Sequence, residues 1–368
     1  MKILNILTST SLSQGGPPEV VRNYSNVINK NNKMLAVMKL KMISYNYLLT
    51  SFIFKKRREK LLKFFIKFDI IHFHEVWSAK TLLISYFAKK LGKKLILIPH
   101  GVLDSWSLKE KYIKKKIYSI LFLKRFILSL DAIFFSTKDE FYEAKKNFKL
   151  PFAFVIPNGI NLSRFQKIKK IKDITKKKKI IFFGRIHKKK GIEILLNSIK
   201  RLPSNFFEDF YFEITGPGEV NYINKIKKII IELNLSMKVF IKKPMKQNEK
   251  INYLKTGSIF ILPSFEEADS VALKEAMSLN LAVIISEQCR MNIVEKKNAG
   301  YIVKTDSESI KNILLKLKES DIEKMGENSR KIIEEYYDNN ICVKNLFYIY
   351  EDVHTGSHSS ASWMNLND

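Results

Sequence analysis

The sequence predicts an α/β protein with two doubly wound parallel sheets, from its length and from a repeated alternation of its elements. The 368 residues are about twice the usual length of a domain, so two domains of ~180 residues each are expected. Short runs rich in isoleucine, valine and phenylalanine alternate with longer helical patterns along the chain. That alternation is typical of parallel strands covered by helices on both faces.

The predicted strands form two series, and we expect the linker between the two domains near residues 160–178. The first series is KILNIL (2–7), DIIHFH (69–74), KLILIP (94–99), DAIFFS (131–136) and FAFVI (152–156). The second series is KIIFFG (179–184), FYFEITG (210–216), KVFI (238–241), SIFILP (258–263), LAVIIS (281–286) and YIVK (301–304). We predict an N-terminal domain over 1–163, a C-terminal domain over 164–338, a closing helix over 339–353 and a flexible tail over 354–368.

Loops after strands are the expected place for ligands, because doubly wound sheets bind ligands at the carboxyl ends of their strands. Gly15 and Gly16 follow the first strand and form a candidate anion-binding loop, with a plain turn as the alternative. Gly184 and Gly216 directly follow strands of the second series. No G-x-G-x-x-G follows the first strand and no G-x-x-x-x-G-K-[ST] occurs, so classical dinucleotide dehydrogenases and P-loop enzymes lose support.

Charged residues follow two predicted strands of the second half and are candidate ligand-binding groups. Arg185 and Lys190 follow a predicted strand, and both side chains have the reach to bind one diphosphate. A solvated basic loop is the alternative. After another predicted strand, Glu267 lies in the loop and Glu275 in the helix that follows it. One carboxylate could accept hydrogen bonds from a sugar hydroxyl and the other from a ribose diol. Glutamates near a helix start also occur for dipole reasons, which leaves the ligand open.

The net charge of +29 predicts attraction to a dense negative surface. Two segments, FIFKKRREKLLKFFIKF (52–68) and YIKKKIYSILFLKRFILSL (112–130), interleave basic with large apolar residues, as helices at a membrane interface do. Ordinary packing helices with solvated basic faces, and a lysine-rich genome composition, are the alternatives. No nucleic-acid recognition motif accompanies the charge, so no specific nucleic acid is expected as a partner. No uncharged stretch is long enough to cross a bilayer.

The second half contains four strings, IPNGIN (156–161), FFGRIHKKKG (182–191), ITGPGE (214–219) and PSFEEADSVALKEAMSLNLAVIIS (263–286). In order and spacing they resemble the C-terminal domain of retaining glycosyltransferases of family 4, with Glu267 and Glu275 matching the E-x7-E pattern. In the first half, Gly15-Gly16, DIIHFHEVWS (69–78) and PHGVLDSW (99–106) resemble that family's phosphate-side loop, second conserved strand and histidine loop. The resemblance covers residues 1–352. It implies the GT-B fold, in which two Rossmann-like domains face each other across a cleft.

The resemblance also implies an activity, the transfer of a hexose from a nucleotide-diphosphate sugar with retained anomeric configuration. By position, Arg185 and Lys190 would bind the diphosphate and stabilise the leaving group. Glu275 would hold the ribose, while Glu267 and the backbone amides after it would hold the transferred sugar, which His100 would also contact. Gly184 and Gly216 belong to the same donor-side loops.

The chain departs from the family pattern after the first glutamate, where the usual Gly-Phe-Gly is Ala268-Asp269-Ser270. We keep these three residues as donor-binding candidates, although the missing glycines make a close backbone approach less secure and Asp269 adds a polar group. The chain contains no Asp-x-Asp, and the resemblance implies that neither a metal nor another cofactor is needed.

The acceptor side is predicted from loops of the first half. Trp77, Asp104 and Trp106 are candidate contacts for an acceptor sugar, with simple packing as the alternative for the tryptophans. We expect His72 and His74, on one strand, to point to opposite faces and not to act together.

The combined prediction is a cytoplasmic enzyme, peripheral at the inner face of the plasma membrane, that extends a lipid-linked or surface-polysaccharide precursor. Its partners would be a nucleotide-sugar donor, a lipid-linked or oligosaccharide acceptor and an anionic membrane surface. A nucleotide-sugar epimerase on the same fold, and a non-catalytic binder of anions or nucleic acid, are the alternatives.

Overall fold

The computed structural model describes residues 1–7, 18, 20–22, 24–25, 34–39, 45–74, 76–104, 107–108, 112–165, 177–245 and 247–356. The chain divides into two compact units. The first unit is Met1–Gly159 together with Asn339–Asp368, and the second is Ile160–Asp338.

The first unit contains a six-stranded, fully parallel sheet in the order β2-β1-β3-β4-β5-β6. Its strands are β1 Lys2–Leu7, β2 Met34–Lys39, β3 Ile70–Phe73, β4 Lys94–Leu97, β5 Ala132–Phe135 and β6 Phe152–Val155. Its helices are α1 Tyr45–Ile53, α2 Lys55–Phe65, α3 Ala79–Lys90, α4 Tyr112–Tyr118, α5 Lys124–Ser129 and α6 Lys138–Asn147, with a π-helical turn Ser119–Leu123 between α4 and α5. The central strands are buried throughout, as a parallel sheet covered on both faces requires.

The second unit contains another six-stranded parallel sheet, in the order β12-β11-β10-β7-β8-β9. Its strands are β7 Lys178–Phe183, β8 Phe210–Thr215, β9 Val239–Lys242, β10 Ile259–Leu262, β11 Ala282–Ser286 and β12 Gly300–Val303. Its helices are α7 Ile192–Lys200, α8 Phe206–Asp209, α9 Val220–Glu232, α10 Gln247–Leu254, α11 Val271–Ser278, α12 Ile293–Lys296, α13 Ser307–Lys316 and α14 Ile322–Tyr336.

The last helix, α15 Asn339–Thr355, belongs to the first unit and does not form a separate closing element. It packs there through its buried face, and the Tyr350 hydroxyl lies 2.5 Å from His72 Nδ1 in β3. The chain passes from the first to the second unit between Gly159 and Ile160, four residues before the predicted boundary. Of the predicted tail, 354–355 continue the helix and 357–368 lie outside the described residues.

The strand order of the second sheet fixes where its ligand site belongs. Strands β7 and β10 are neighbours, and the chain proceeds from β7 toward one edge of the sheet and from β10 toward the other. Such a reversal opens a crevice at the carboxyl ends of the two strands, which is where doubly wound sheets bind their ligands. The residues after Phe183 and after Leu262 therefore face the candidate site.

Candidate active site

The loop after β7 approaches its neighbours too closely for most side chains. Gly191 has φ +67°, and a Cβ built on it would lie 2.0 Å from the carbonyl oxygen of Pro263. At Gly216, φ is +147° and a Cβ would lie 1.8 Å from the carbonyl oxygen of Gly184. Glycine is the residue that fits both conditions, because it has no Cβ and tolerates positive φ. The glycines thus hold the loops after β7, β8 and β10 against one another.

Lys190 and Glu267, which lie 77 residues apart in the sequence, form an ion pair at this edge. Lys190 ends a short 3₁₀ turn, Lys188–Lys190, and Glu267 lies in the loop between β10 and α11. Glu267 Oε1 also accepts a hydrogen bond from the Ser264 hydroxyl at 2.7 Å, and the Glu267 N–H donates to the Gln288 carbonyl at 3.2 Å. The structure thus brings together one predicted diphosphate ligand and the predicted sugar ligand.

Each carboxylate of the run from Glu266 to Glu275 pairs with a lysine. Lys189 Nζ lies 2.6 Å from Glu266 Oε2, and Lys250 of α10 contacts Glu275 of α11. The Glu275 side chain is only 2% exposed and that of Lys250 10%, so the predicted ribose ligand is oriented by a buried cation. Lys189, Lys250 and Glu266 were missed by the sequence analysis, because local spacing does not reveal partners that lie tens of residues apart.

The residues that replace the expected glycines are arranged around a second buried pair. Lys274 Nζ lies 2.5 Å from Asp269 Oδ1, and the two side chains are 0% and 4% exposed. Ser270 caps α11, since its hydroxyl accepts a hydrogen bond from the Leu273 N–H at 3.3 Å. Ala268, between Glu267 and Asp269, is half-buried. The polar group that Asp269 adds at this position is therefore paired inside the protein with Lys274.

Arg185 lies two residues after the end of β7 and is exposed. Among the residues that the structure describes, it has no ion-pair or hydrogen-bond partner. Its neighbour Ile186 is fixed by donating its N–H to the Pro217 carbonyl at 2.7 Å. The backbone at Arg185 is thus anchored, while its guanidinium is available to an anion.

His100 is half-buried and belongs to a polar cluster, otherwise buried, at the carboxyl ends of β1, β3 and β4 in the first unit. His100 Nε2 lies 2.9 Å from His74 Nδ1, and His74 Nε2 lies 2.9 Å from both the Tyr24 hydroxyl and Asn5 Oδ1. The rings of His74 and His72 have centroids 4.4 Å apart, so our expectation that they point to opposite faces is wrong. Residues two apart on a strand share a face.

Burial determines the protonation of these histidines. It lowers the pKa of His100 to about 4. It also holds the pKa of His72 well below its ordinary value, with a smaller effect from the charge of His100. The pKa of His74 is lowered in the same way, with smaller effects from His72 and His100. All three rings are therefore neutral near pH 7, and His100 presents a neutral imidazole.

The predicted acceptor residues have structural contacts. The Trp77 ring lies 5.7 Å from that of Tyr118, and the Lys115 ammonium lies 5.0 Å from the Trp77 centroid. Asp104 is 2% exposed, and its Oδ1 accepts a hydrogen bond from the Ser107 N–H at 2.6 Å. These contacts correspond to the packing alternative for Trp77 and to a turn-stabilising role for Asp104. Gly15, Gly16 and Trp106 lie outside the described residues.

The described residues contain no group of three or more His, Cys, Asp or Glu side chains placed to hold a metal ion. Within the same part of the chain, every helix is too short or too polar to span a bilayer.

Comparison with known proteins first defines the class. The two units, each a parallel Rossmann-like sheet, match solved glycosyltransferases of the GT-B fold. A sucrose-phosphate synthase from Thermosynechococcus elongatus superposes with a TM-score of 0.76 at 14% identity, covering 97% of this chain and 100% of that one. Anabaena HepE in complex with UDP and glucose has a TM-score of 0.72 at 14% identity, covering 95% and 99%.

The family follows from the sequence models. The model for glycosyl transferases group 1 matches residues 163–336, and that for glycosyltransferase family 4 matches residues 14–164. The chain belongs to this glycosyltransferase family, as its motifs indicated.

Two curated relatives are similar over much of the chain. An uncharacterised glycosyltransferase of Methanocaldococcus jannaschii is 28% identical over 78% of this chain and 76% of its own length. The Escherichia coli UDP-Gal:alpha-D-GlcNAc-diphosphoundecaprenol alpha-1,3-galactosyltransferase is 26% identical over 68% of this chain and 66% of its own length.

Proposed function

We propose that this glycosyltransferase transfers a hexose from a nucleotide-diphosphate sugar, with retention and without a metal ion, to a lipid-linked or surface-polysaccharide precursor. The observation that carries the proposal is the ion pair between Lys190 and Glu267. It lies at the carboxyl ends of β7 and β10, where the strand order of the second sheet reverses. Arg185 lies in the same loop, and Glu275 lies on the helix that follows Glu267. Groups for a diphosphate, a sugar and a ribose thus belong to adjoining segments.

In the proposed reaction the bond between the anomeric carbon and the diphosphate oxygen breaks, and the acceptor oxygen forms a bond to that carbon on the same face. The acceptor proton passes to the departing phosphate oxygen. Arg185 and Lys190 neutralise the charge that develops on the diphosphate, which is the kind of preorganised stabilisation that contributes most to such reactions. The Lys190 ammonium has three donors, so it is able to keep Glu267 in place while it donates to phosphate.

The acceptor class is supported by the relatives. The Escherichia coli galactosyltransferase is named for an acceptor that carries a diphosphoundecaprenol. A Klebsiella pneumoniae protein from a cps region is 29% identical over 44% of this chain. We propose an acceptor of the same chemical kind, a sugar linked to a lipid through a diphosphate, as used in building O-antigen, capsule or exopolysaccharide.

A basic, apolar surface of the first unit supports action at an anionic membrane, at the cytoplasmic face. Segments 49–66 and 113–128 expose many large apolar side chains, including Ile53 at 78% and Ile113 at 72%. Exposed basic residues lie between them, namely Lys55, Lys56, Arg57, Lys114, Lys116, Lys124 and Arg125. Phe52 packs on Tyr86 of α3 with ring centroids 5.0 Å apart, and α3 also packs against α5. The two segments therefore flank one helix, and the mixture suits an anionic lipid surface.

Transfer assays test the chemistry. Purified protein is incubated with a panel of UDP-, GDP- and ADP-sugars and a lipid-diphosphate sugar acceptor, with and without a chelator, and the anomeric configuration of the product is read by NMR. We expect one donor to be used with retention, at a rate that the chelator leaves unchanged. Abolition by the chelator contradicts the metal-free mechanism, and an inverted product contradicts retention.

Vesicle sedimentation tests the membrane surface. We expect the protein to bind vesicles containing anionic phospholipid at low salt, and the pair Ile53→Ser and Ile113→Ser to weaken that binding at least fivefold. The matched control is the pair Ile231→Ser and Met237→Ser, which removes exposed apolar side chains of the second unit, 67% and 87% exposed. Equal binding by both double variants would assign the two segments to ordinary packing.

A further inference from the structure

The turn between Glu267 and α11 is fixed by a buried ion pair that follows from no family motif. Lys274 is fully buried, and its ammonium lies 2.5 Å from Asp269 Oδ1. The same ammonium lies 4.2 Å from the centroid of the Tyr337 ring. Burying a lysine in this way is costly unless its charge is neutralised, and here a carboxylate and an aromatic face share that task.

The pair connects the turn to a well-anchored part of the second unit. The Tyr337 carbonyl accepts a hydrogen bond from the Ile160 N–H at 2.8 Å. Asp269 itself lies between Glu267, which is bound by Lys190, and Ser270, which caps α11. The carboxylate therefore ties a turn without glycines to the helix that carries Glu275.

We propose that Asp269 and Lys274 are positioning residues, whose ion pair holds the backbone amides of 268–270 toward the donor sugar, and that the Asp269 carboxylate does not itself contact that sugar. This inference rests on the proposed function. It accounts for the presence of Ala268-Asp269-Ser270 where the family has Gly-Phe-Gly. In the family pattern glycine allows the backbone to approach the sugar, whereas here the ion pair would fix the conformation of the turn.

A double variant that replaces both charged side chains by uncharged ones distinguishes a role in positioning the turn from a role in folding stability. Replacing a buried ion pair by well-packed hydrophobic residues of similar volume is often neutral or stabilising, whereas removing one partner leaves an uncompensated charge. We therefore expect the double variant Asp269→Leu with Lys274→Met to unfold at about the wild-type temperature. Its kcat/KM for transfer should fall at least tenfold, with the Kd for the free nucleoside diphosphate within threefold of wild type. The single variant Lys274→Met should lose both stability and activity.

The matched control is the pair Lys179–Glu213, also buried, whose Nζ and Oε2 lie 3.4 Å apart. Lys179 lies near the start of β7, at the end of the strand away from the site. The double variant Lys179→Met with Glu213→Gln should keep wild-type kcat/KM. If the Asp269/Lys274 double variant also kept it, the pair would be only structural and the proposal overturned.

Donor preference gives a second, independent test. Asp269→Glu keeps the negative charge that neutralises the buried Lys274 ammonium but moves the carboxylate by one methylene, so it remains informative if the double variant does not fold. We expect it to keep the wild-type order of preference among donor sugars while its kcat/KM falls two- to fivefold. A change in the preferred sugar, or an unchanged kcat/KM, would overturn the proposal. Failure of the wild-type protein to bind any nucleoside diphosphate would instead refute the proposed function.

Discussion

Lys190→Ala and Arg185→Ala should reduce activity to a similar degree but differ in their effect on stability. In the proposed reaction both cations neutralise the departing diphosphate. Losing one such electrostatic donor costs about 2.7–4 kcal/mol of transition-state stabilisation, or roughly 10²- to 10³-fold in turnover. We therefore expect a fall of that size in kcat/KM for each variant, measured as donor consumption with saturating acceptor.

The stabilities differ because only Lys190 neutralises a buried group. Glu267 is 8% exposed, and without the ammonium its carboxylate keeps, within the described ranges of the chain, only the Ser264 hydroxyl as a hydrogen-bond donor. Depriving a buried polar group of its partner lowers the free energy of unfolding by about 1–3 kcal/mol, and by more if the group is charged. A loss of about 2 kcal/mol corresponds to a fall in Tm of about 4–8 °C. Arg185 is exposed, so its removal should change stability by at most about 0.5 kcal/mol.

Two further variants check this reasoning. Lys190→Ala combined with Glu267→Gln removes the unpaired charge, so it should recover part of the lost Tm but none of the activity. Lys188→Ala, an exposed lysine of the same 3₁₀ turn, should leave both unchanged. Wild-type turnover in both Arg185→Ala and Lys190→Ala would reassign this loop to solubility and refute the mechanism.

Three other expectations follow from the geometry. Because burial lowers the folded-state pKa of His100 to about 4, below its unfolded value, its stabilising contribution is complete above about pH 6.5 and is lost as the pH falls toward 4. Denaturant titrations should therefore show a loss of about 2 kcal/mol for this ring between pH 7 and 5, and a pH-independent free energy of unfolding would contradict the burial. Lys250→Met should raise the Kd for the nucleoside diphosphate about tenfold by calorimetry, since Glu275 loses its orienting cation; an unchanged Kd would remove Glu275 from the ribose site. Gly92→Ala and Gly191→Ala share φ near +66°, yet nothing lies within 4 Å of the added Cβ at Gly92. Thermal unfolding should give about 1–2 kcal/mol for Gly92→Ala and clearly more for Gly191→Ala, and equal losses would argue against the close approach to Pro263.

The sequence predicted the fold because a parallel sheet is encoded locally. Runs such as IIFF (180–183) and IFIL (259–262) are continuous apolar stretches bounded by glycine, proline or lysine, which is the pattern of a strand buried on both faces. Strand β2, MLAVMK, was missed because lysines on both sides break the run and its length fits a strand or a helical turn equally well. The helix α15 could not be assigned to the first unit from its sequence, since its contact with His72 joins residues 278 apart.

The candidate site residues were chosen from the sequence, while their charge partners were not. Spacing singled out Glu267 and Glu275 and the family resemblance gave them their expected roles, yet the lysines that pair with them lie on other elements. The tertiary structure alone brings Lys250 of α10 to Glu275. The same holds for Asp269, whose buried partner Lys274 was not identified from the sequence.

These pairings give the high lysine content of the second unit a specific electrostatic role. Lys189, Lys190, Lys250 and Lys274 each pair with a carboxylate of the segment from Glu266 to Glu275, so those eight charges cancel locally. Arg185, in contrast, has no carboxylate partner in the part of the chain that the structure describes. In the proposed mechanism, a diphosphate that arrives there would meet the Arg185 guanidinium and a lysine already oriented by Glu267. The guanidinium would then attract the donor first, and the position of Lys190 would depend on the carboxylate proposed to bind the sugar. The proposal therefore couples recognition of the diphosphate and of the sugar through a single ion pair.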